Sequence, residues 1–225
     1  MNLQEVAMER TLQTGSGAGP RVARRQVLLG GAAAVVGVAA AWSRPARAAG
    51  LTPTPSQMEG PFYPVRLPAD QDGDLLRNGA LAYARGQALV LEGTVVDVDG
   101  VPVSGAAVEI WQCDADGHYH HPGDGGRADP AFQGFGRVVL GREGVYRFRT
   151  LRPVPYTGRT PHIHLKVRLG PHELLTTQVY VEGEPGNERD GLWRRLSVAD
   201  RRALTVPLVR DGAGWRGRFP VVVMA

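Results

Sequence analysis

The chain has 225 residues, 43% of them hydrophobic and 21% charged, with 30 glycines and 17 prolines, the composition of one globular domain with many turns. Its formal net charge of +4 would suit a nucleic-acid partner only if it lay on the folded body. It does not: residues 1–48 carry six arginines (Arg10, Arg21, Arg24, Arg25, Arg44 and Arg47) against Glu5 and Glu9, which leaves 20 basic and 20 acidic residues in the rest, a neutral body that excludes an electrostatic footprint for nucleic acid.

Arg24 and Arg25 stand directly before a moderately apolar run rich in Ala, Gly and Val, and that run ends in Ala46-Arg47-Ala48, a small-x-small cleavage pattern. Twin arginines followed by Gln26-Val27-Leu28-Leu29 resemble the twin-arginine export signal, which carries proteins already folded, often around a cofactor. An ordinary secretory signal or an uncleaved anchor is the alternative. The expectation is that residues 1–48 are an export signal, that the mature protein works in the periplasm or outside the cell, and that no stable membrane anchor remains after cleavage. Export permits disulfides, yet Cys113 is the single cysteine, so no bridge can form within the chain. In "VEIWQCDADG" it reads as a small buried strand residue rather than a nucleophile.

From Leu51 to about Arg85 the sequence is rich in Pro, Asp and Gly and has no apolar period, which predicts an extended arm, residues 49–86, laid over a core spanning 87–225. "ALVLEGTVVDVDG" and "AAVEIWQCD" are strand-like runs joined through Asp99-Gly100 and a turn-like "VPVSG". Further strands are predicted at Arg137–Leu140, Val145–Leu151, His162–Leu169, Leu174–Glu182, Leu204–Val209 and Trp215–Val223, with a brief helix at Ser197–Arg202. About eight short strands with turns between them predict an all-β fold, an antiparallel β-sandwich with an extended N-terminal arm.

On a strand, His162 and His164 share a face with Lys166 and Arg168, while Ile163, Leu165 and Val167 point to the core. Two imidazoles at i and i+2 can share a metal, although many strands carry the same pattern on a solvated face, and no Asp or Glu in the segment completes a ligand set. Tyr156 lies in the loop leading into this strand, and Tyr119 sits among polar neighbours in "WQCDADGHYHHPGD". A phenol titrates near ~10 and is a poor ligand for a soft divalent ion, but a hard trivalent cation stabilises the phenolate. Tyrosines beside the histidine pair therefore point to ferric iron rather than zinc. Tyr146, alternating with Phe148, reads as core. His118, His120 and His121 read as solvated loop residues or as a rival metal cluster, and His172 as surface.

"EGPFYP", "GTVVDVDGVPVSGAAVEIWQCDADGHY", "RTPHIHLKV" and "TTQVYVEGEP" together resemble the intradiol ring-cleaving dioxygenases, the family of protocatechuate 3,4-dioxygenase and catechol 1,2-dioxygenase, from about Gln57 to Gly186. The resemblance implies one Fe(III) per chain, held by Tyr119, Tyr156, His162 and His164. It implies that Arg159 is the active-site arginine and that Gln178 supports it. Substrates would be a catechol and dioxygen, the ring opening between its two hydroxylated carbons to a cis,cis-muconate-type diacid, with Tyr156 or Tyr119 accepting a proton on the way. The chain departs from the better-known members in having only Thr157 and Gly158 between Tyr156 and Arg159, where they carry a longer loop, and in lacking a long helical segment ahead of the core. Substrate identity and oligomeric state are thereby left open, a homo-oligomer included. "GTVVDVDGVPVSGAAVEIW" is also similar to transthyretin-like and carboxypeptidase-regulatory-like sandwiches, which makes a non-catalytic binding module the alternative. A zinc or copper enzyme using the histidine pair would be colourless or blue, with dispensable tyrosines.

Overall fold

The computed structural model describes residues 50–225; the predicted export signal at 1–48 lies outside the described residues. The arm first forms a small ribbon, β1 (Arg77–Asn78) with β2 (Leu81–Ala82). In β3 (Ala88–Asp97) burial alternates, with Leu89, Leu91 and Val95 turned inward, as an apolar period of two dictates. The ladder continues through β4 (Ala107–Trp111), β5 (Phe135–Val139), β6 (Val145–Leu151), β7 (His162–Leu169) and β8 (His172–Val181). A single α-helix among the described residues, α1 (Val198–Leu204), starts where the Ser197 hydroxyl accepts from the Asp200 amide, a Ser N-cap. Four short strands follow: β9 (Thr205–Val206), β10 (Val209–Asp211), β11 (Gly214–Arg218) and β12 (Val221–Val223).

One sheet runs β10-β11-β3-β12 with β6 also paired along β3, and the other runs β5-β4-β7-β8-β9. Their inner faces merge in one core, with Leu89, Leu91 and Phe148 from the first sheet meeting Val108, Ile110 and Leu165 from the second. The fold is a β-sandwich, but not an antiparallel one throughout. β11 and β12 run parallel to β3, and β9 runs parallel to β8, because each returns by a crossover rather than a hairpin. Two predicted strands are also broken. Pro207 divides the 204–209 run and Phe219-Pro220 the 215–223 run, since proline offers no N–H to the ladder. Cys113 is buried as expected but lies beyond the end of β4.

The second sheet carries its chemistry on the face away from the core. Trp111, His164 and Gln178 stand opposite one another across β4, β7 and β8, as do Glu109, Lys166 and Thr176, and residues directly opposite share a face. That face is not solvated: all six residues are buried. The arm covers them, with the Gln57 amide donating to the Thr176 carbonyl at 2.8 Å and Gln178 Nε2 to the Met58 carbonyl at 3.0 Å. The arm is nevertheless more than a cover, because Leu75, Leu76 and Tyr83 join the core. A turn-rich segment can dock single side chains without showing an apolar period.

Candidate metal centre and active site

Tyr119 and Tyr156 reach the histidine face from two loops. Tyr119 follows β4, where its amide donates to Asp124 Oδ2 at 2.8 Å. Its side chain is only 2% exposed, packed with Trp111, Cys113 and Phe135, so the polar neighbours in sequence do not make it a surface tyrosine. Tyr156 and Arg159 close a tight turn, the Arg159 amide donating to the Tyr156 carbonyl at 2.8 Å. Gly158 takes φ 75° there, the positive φ that such a turn demands of its third residue. The turn sets both side chains beside the histidines.

The four rings form a closed circuit. Centroids lie 5.2 Å apart from Tyr119 to Tyr156, 5.4 Å from Tyr156 to His162, 4.7 Å from His162 to His164 and 6.0 Å from His164 back to Tyr119. His162 Nδ1 is 2.7 Å from the Thr160 carbonyl, and a carbonyl can only accept, so Nδ1 carries the proton and Nε2 a free lone pair. That lone pair faces His164 Nε2 at 3.2 Å. Burial, followed by the Arg159 charge, lowers the His162 pKa to about 3. Burial, then His162 and Arg159, takes His164 well below the usual imidazole value. Both therefore stay neutral donors of the kind metals bind.

Tyr119 Oη is buried and has only the Tyr156 hydroxyl, itself part of the circuit, to pair with, at a distance beyond a good hydrogen bond, a costly state for a polar group. A cation within the circuit would satisfy it. Without one the phenols are strongly held protonated. Burial first, then Cys113 and Tyr156, pushes Tyr119 well above the ordinary phenol pKa. Burial also raises Tyr156, though Arg159 and Tyr119 oppose it. Only a highly charged cation reverses such shifts, and two phenolates with two neutral imidazoles are a hard, dianionic donor set suited to a trivalent ion. The residues present fit that group.

Arg159 is fixed from two sides. Its Nε donates to Asp190 Oδ2 at 2.8 Å and its terminal nitrogen to Gln178 Oε1 at 2.6 Å, while Nη1 lies 3.5 Å from Tyr156 Oη. Burial alone would raise the Asp190 pKa, but amides of Thr160 and Trp193 together with Arg159 outweigh it and hold the carboxyl below its usual value. The pair stays ionised at neutral pH. Arg159 and Tyr156 also line an open cleft of about 810 Å³.

The model of the dioxygenase family matches residues 58–194, more than half of the chain. The chain belongs to the intradiol ring-cleavage dioxygenases. It is 35% identical over 150 residues to hydroxyquinol 1,2-dioxygenase of Corynebacterium glutamicum, covering 59% of this chain and 47% of that protein. It is 31% identical over 174 residues to catechol 1,2-dioxygenase of Acinetobacter baylyi, covering 69% and 53%. The chain thus spans about half the length of the curated relatives it matches. Among solved structures, the dioxygenase domain of a dioxygenase–carbohydrate-binding protein fusion from the cellulolytic bacterium Streptomyces sp. SirexAA-E superposes with a TM-score of 0.62 at 31% identity, covering 77% of this chain and 99% of that one.

In this member of the family, all six residues picked out in the sequence, Tyr119, Tyr156, Arg159, His162, His164 and Gln178, come together at one place. His118, His120 and His121 do not make a rival centre: among the described residues no three His, Cys, Asp or Glu side chains are grouped to hold a metal. His120 instead bonds the Phe132 carbonyl, and His121 Nδ1 accepts from the Gly123 amide. Burial first, then Asp114, pushes the Cys113 thiol up to about 12, which fits an inert packing role. Sequence reasoning missed Phe62, stacked on Tyr119 at 4.7 Å, and Trp111, stacked on His164 at 4.7 Å with the planes 8° apart. Both lie inside quoted motifs, "EGPFYP" and "EIWQ", and could have been suspected. Asp190 carries no local signal at all.

Proposed function

We propose that the chain is a non-haem iron(III) intradiol dioxygenase, one iron per chain, that adds both atoms of O2 to a catechol-type aromatic and opens the ring between the two hydroxylated carbons to a cis,cis-muconate-type diacid. The observation that carries this reading is the closed circuit of Tyr119, Tyr156, His162 and His164 beside a cleft. Bound there, iron(III) would supply the charge that keeps two phenolates and a catechol dianion ionised and opens the ring to attack by dioxygen. His162 is held in its ligating tautomer by the Thr160 carbonyl. Trp111 on His164 and Phe62 on Tyr119 exclude water from the ligand rings.

The tyrosines divide the work by exposure. Tyr119 is buried, whereas Tyr156 faces the cleft and meets Arg159. Tyr156 Oη is therefore the base that takes a proton from the incoming catechol hydroxyl, at a site an entering substrate can reach. Arg159 stabilises the negative charge that builds on the ring carbon. Its guanidinium does not deprotonate, so it acts by charge alone. Export through the twin-arginine route to the periplasm or beyond completes the proposal, an oxidising setting that suits the ferric state.

Metal analysis and the visible spectrum of the purified chain, before and after catechol under argon, test the reading. The expected result is about one iron per chain, with a broad tyrosinate charge-transfer band that moves to longer wavelength on catechol. Tyr119→Phe and Tyr156→Phe should each shift or weaken the band. A colourless iron-replete protein would contradict the two-tyrosine assignment, and a well-folded chain that takes no iron would favour the binding-module alternative.

A further inference from the structure

The cleft is much larger than a catechol needs. A cavity of about 150 Å³ is enough to hold benzene, whereas this cleft measures about 810 Å³. One side of it is formed by a short turn: Tyr156 and Arg159 are joined by only Thr157 and Gly158, closed by the Arg159 amide. Beyond the Tyr156 and Arg159 end, Met58, Phe62, Pro155 and Leu192 supply apolar wall, and Asp116, His118, Asp124 and Arg127 supply a polar edge.

The charges along this lining are already matched. Arg127 donates to the Asp124 carboxylate at 3.3 Å and to its backbone carbonyl at 3.1 Å. Asp116 holds a bidentate pair with Arg85, and Arg159 is taken by Asp190 and Gln178. A carboxylate on the substrate ring would compete with Asp124 for Arg127 or with Asp190 for Arg159, and would meet the repulsion of those acids. A neutral substituent of ring size finds apolar wall and hydrogen-bonding groups without breaking any of these pairs. Resting on the dioxygenase reading above, we infer that the cleft selects neutral catechols that carry a second ring, or a group of that size, over catechols that carry a ring carboxylate.

The test compares oxygen uptake by the iron-loaded full chain on three catechols: unsubstituted, carboxylated para to one hydroxyl, and phenyl-substituted at that position. Affinity under argon, followed by the change in visible absorption, gives a readout separate from turnover. The phenyl compound is expected to exceed the carboxylate by at least about tenfold in kcat/KM and to bind more tightly by a similar factor. Filling the cleft by Leu192→Trp should cut the phenyl-to-unsubstituted ratio about tenfold. Thr157→Phe, at an exposed turn position lining the same cleft, should do likewise and serves if the first variant does not fold. Preference for the carboxylate, refusal of the phenyl compound while catechol is cleaved, or an unchanged ratio in folded variants would each overturn the inference. If no catechol is bound or cleaved and no tyrosinate band appears, the dioxygenase reading itself fails and the inference falls with it.

Discussion

Arg159 shows how one side chain is made rigid enough to act at a distance. A guanidinium presents a planar fork of donors, and here two directions are taken by Asp190 and Gln178, which leaves the third directed at Tyr156. A charge held in this way needs no reorganisation when negative charge develops beside it, which is where electrostatic catalysis is most effective. Arg159→Ala should therefore lower kcat by about a hundredfold, about 3 kcal/mol, with iron content retained. Asp190 keeps donors from the Thr160, Leu192 and Trp193 amides in that variant, so it is not stranded and the fold survives. Metal analysis beside saturating-substrate kinetics checks both halves, and unchanged turnover would remove Arg159 from the mechanism.

At the scale of elements, the arm turns an ordinary sheet face into a covered one. Thr177 Oγ1 donates to the Pro55 carbonyl at 2.7 Å, Gln178 Nε2 holds Met58, and Lys166 pairs with Glu59 and with Glu173 at 3.1 Å. Gly60 passes so close to the sheet that a Cβ there would lie 3.4 Å from His164 Cε1, and its φ is 78°. Next to it, Tyr63 donates to the buried Glu109 carboxylate at 2.9 Å, beneath the Lys166 ammonium 4.1 Å from the Tyr63 ring. Removing that one hydroxyl leaves Glu109 facing Arg137 at 3.8 Å. Tyr63→Phe should destabilise the protein by about 1–3 kcal/mol, the cost of a buried acceptor losing its donor. A lower urea midpoint with an unchanged slope would show it, and an unaltered midpoint would mean that Arg137 closes the gap.

At the scale of the whole molecule, the C-terminal tail secures the first sheet. β11 and β12 both lie along β3, and the chain crosses between them at Phe219-Pro220. There the Phe219 amide donates to the Glu92 carbonyl at 2.8 Å and the Phe219 carbonyl accepts from Tyr146 Oη. Gly93 faces this crossing: a Cβ would come within 2.0 Å of the Phe219 oxygen and 2.8 Å of Tyr146 Oη. Gly93→Ala should cost about 3 kcal/mol by overpacking while leaving the tyrosinate band of the folded fraction in place, because Gly93 lies in the opposite sheet from the histidines. A thermal melt with the spectrum recorded alongside separates the two effects.

Much of this was legible one residue at a time. The strands Val145–Leu151 and His162–Leu169 are read and found at the same ends, because side-chain alternation is a local signal. The pairing of His162 with His164, and the turn that binds Tyr156 to Arg159, are local too. Pro207 and Pro220 were visible breaks that the apolar runs around them obscured. What no local pattern contains is the register that sets Trp111 against His164 and His164 against Gln178, or the long reach that brings Phe62 onto Tyr119 and Asp190 onto Arg159. The sequence by itself determined the donor types and their spacing along each strand and turn, since those depend on backbone geometry over a few residues. Tertiary structure alone decided that Tyr119 is buried while Tyr156 faces the cleft, and how wide that cleft is, because burial depends on which distant segments pack over a side chain.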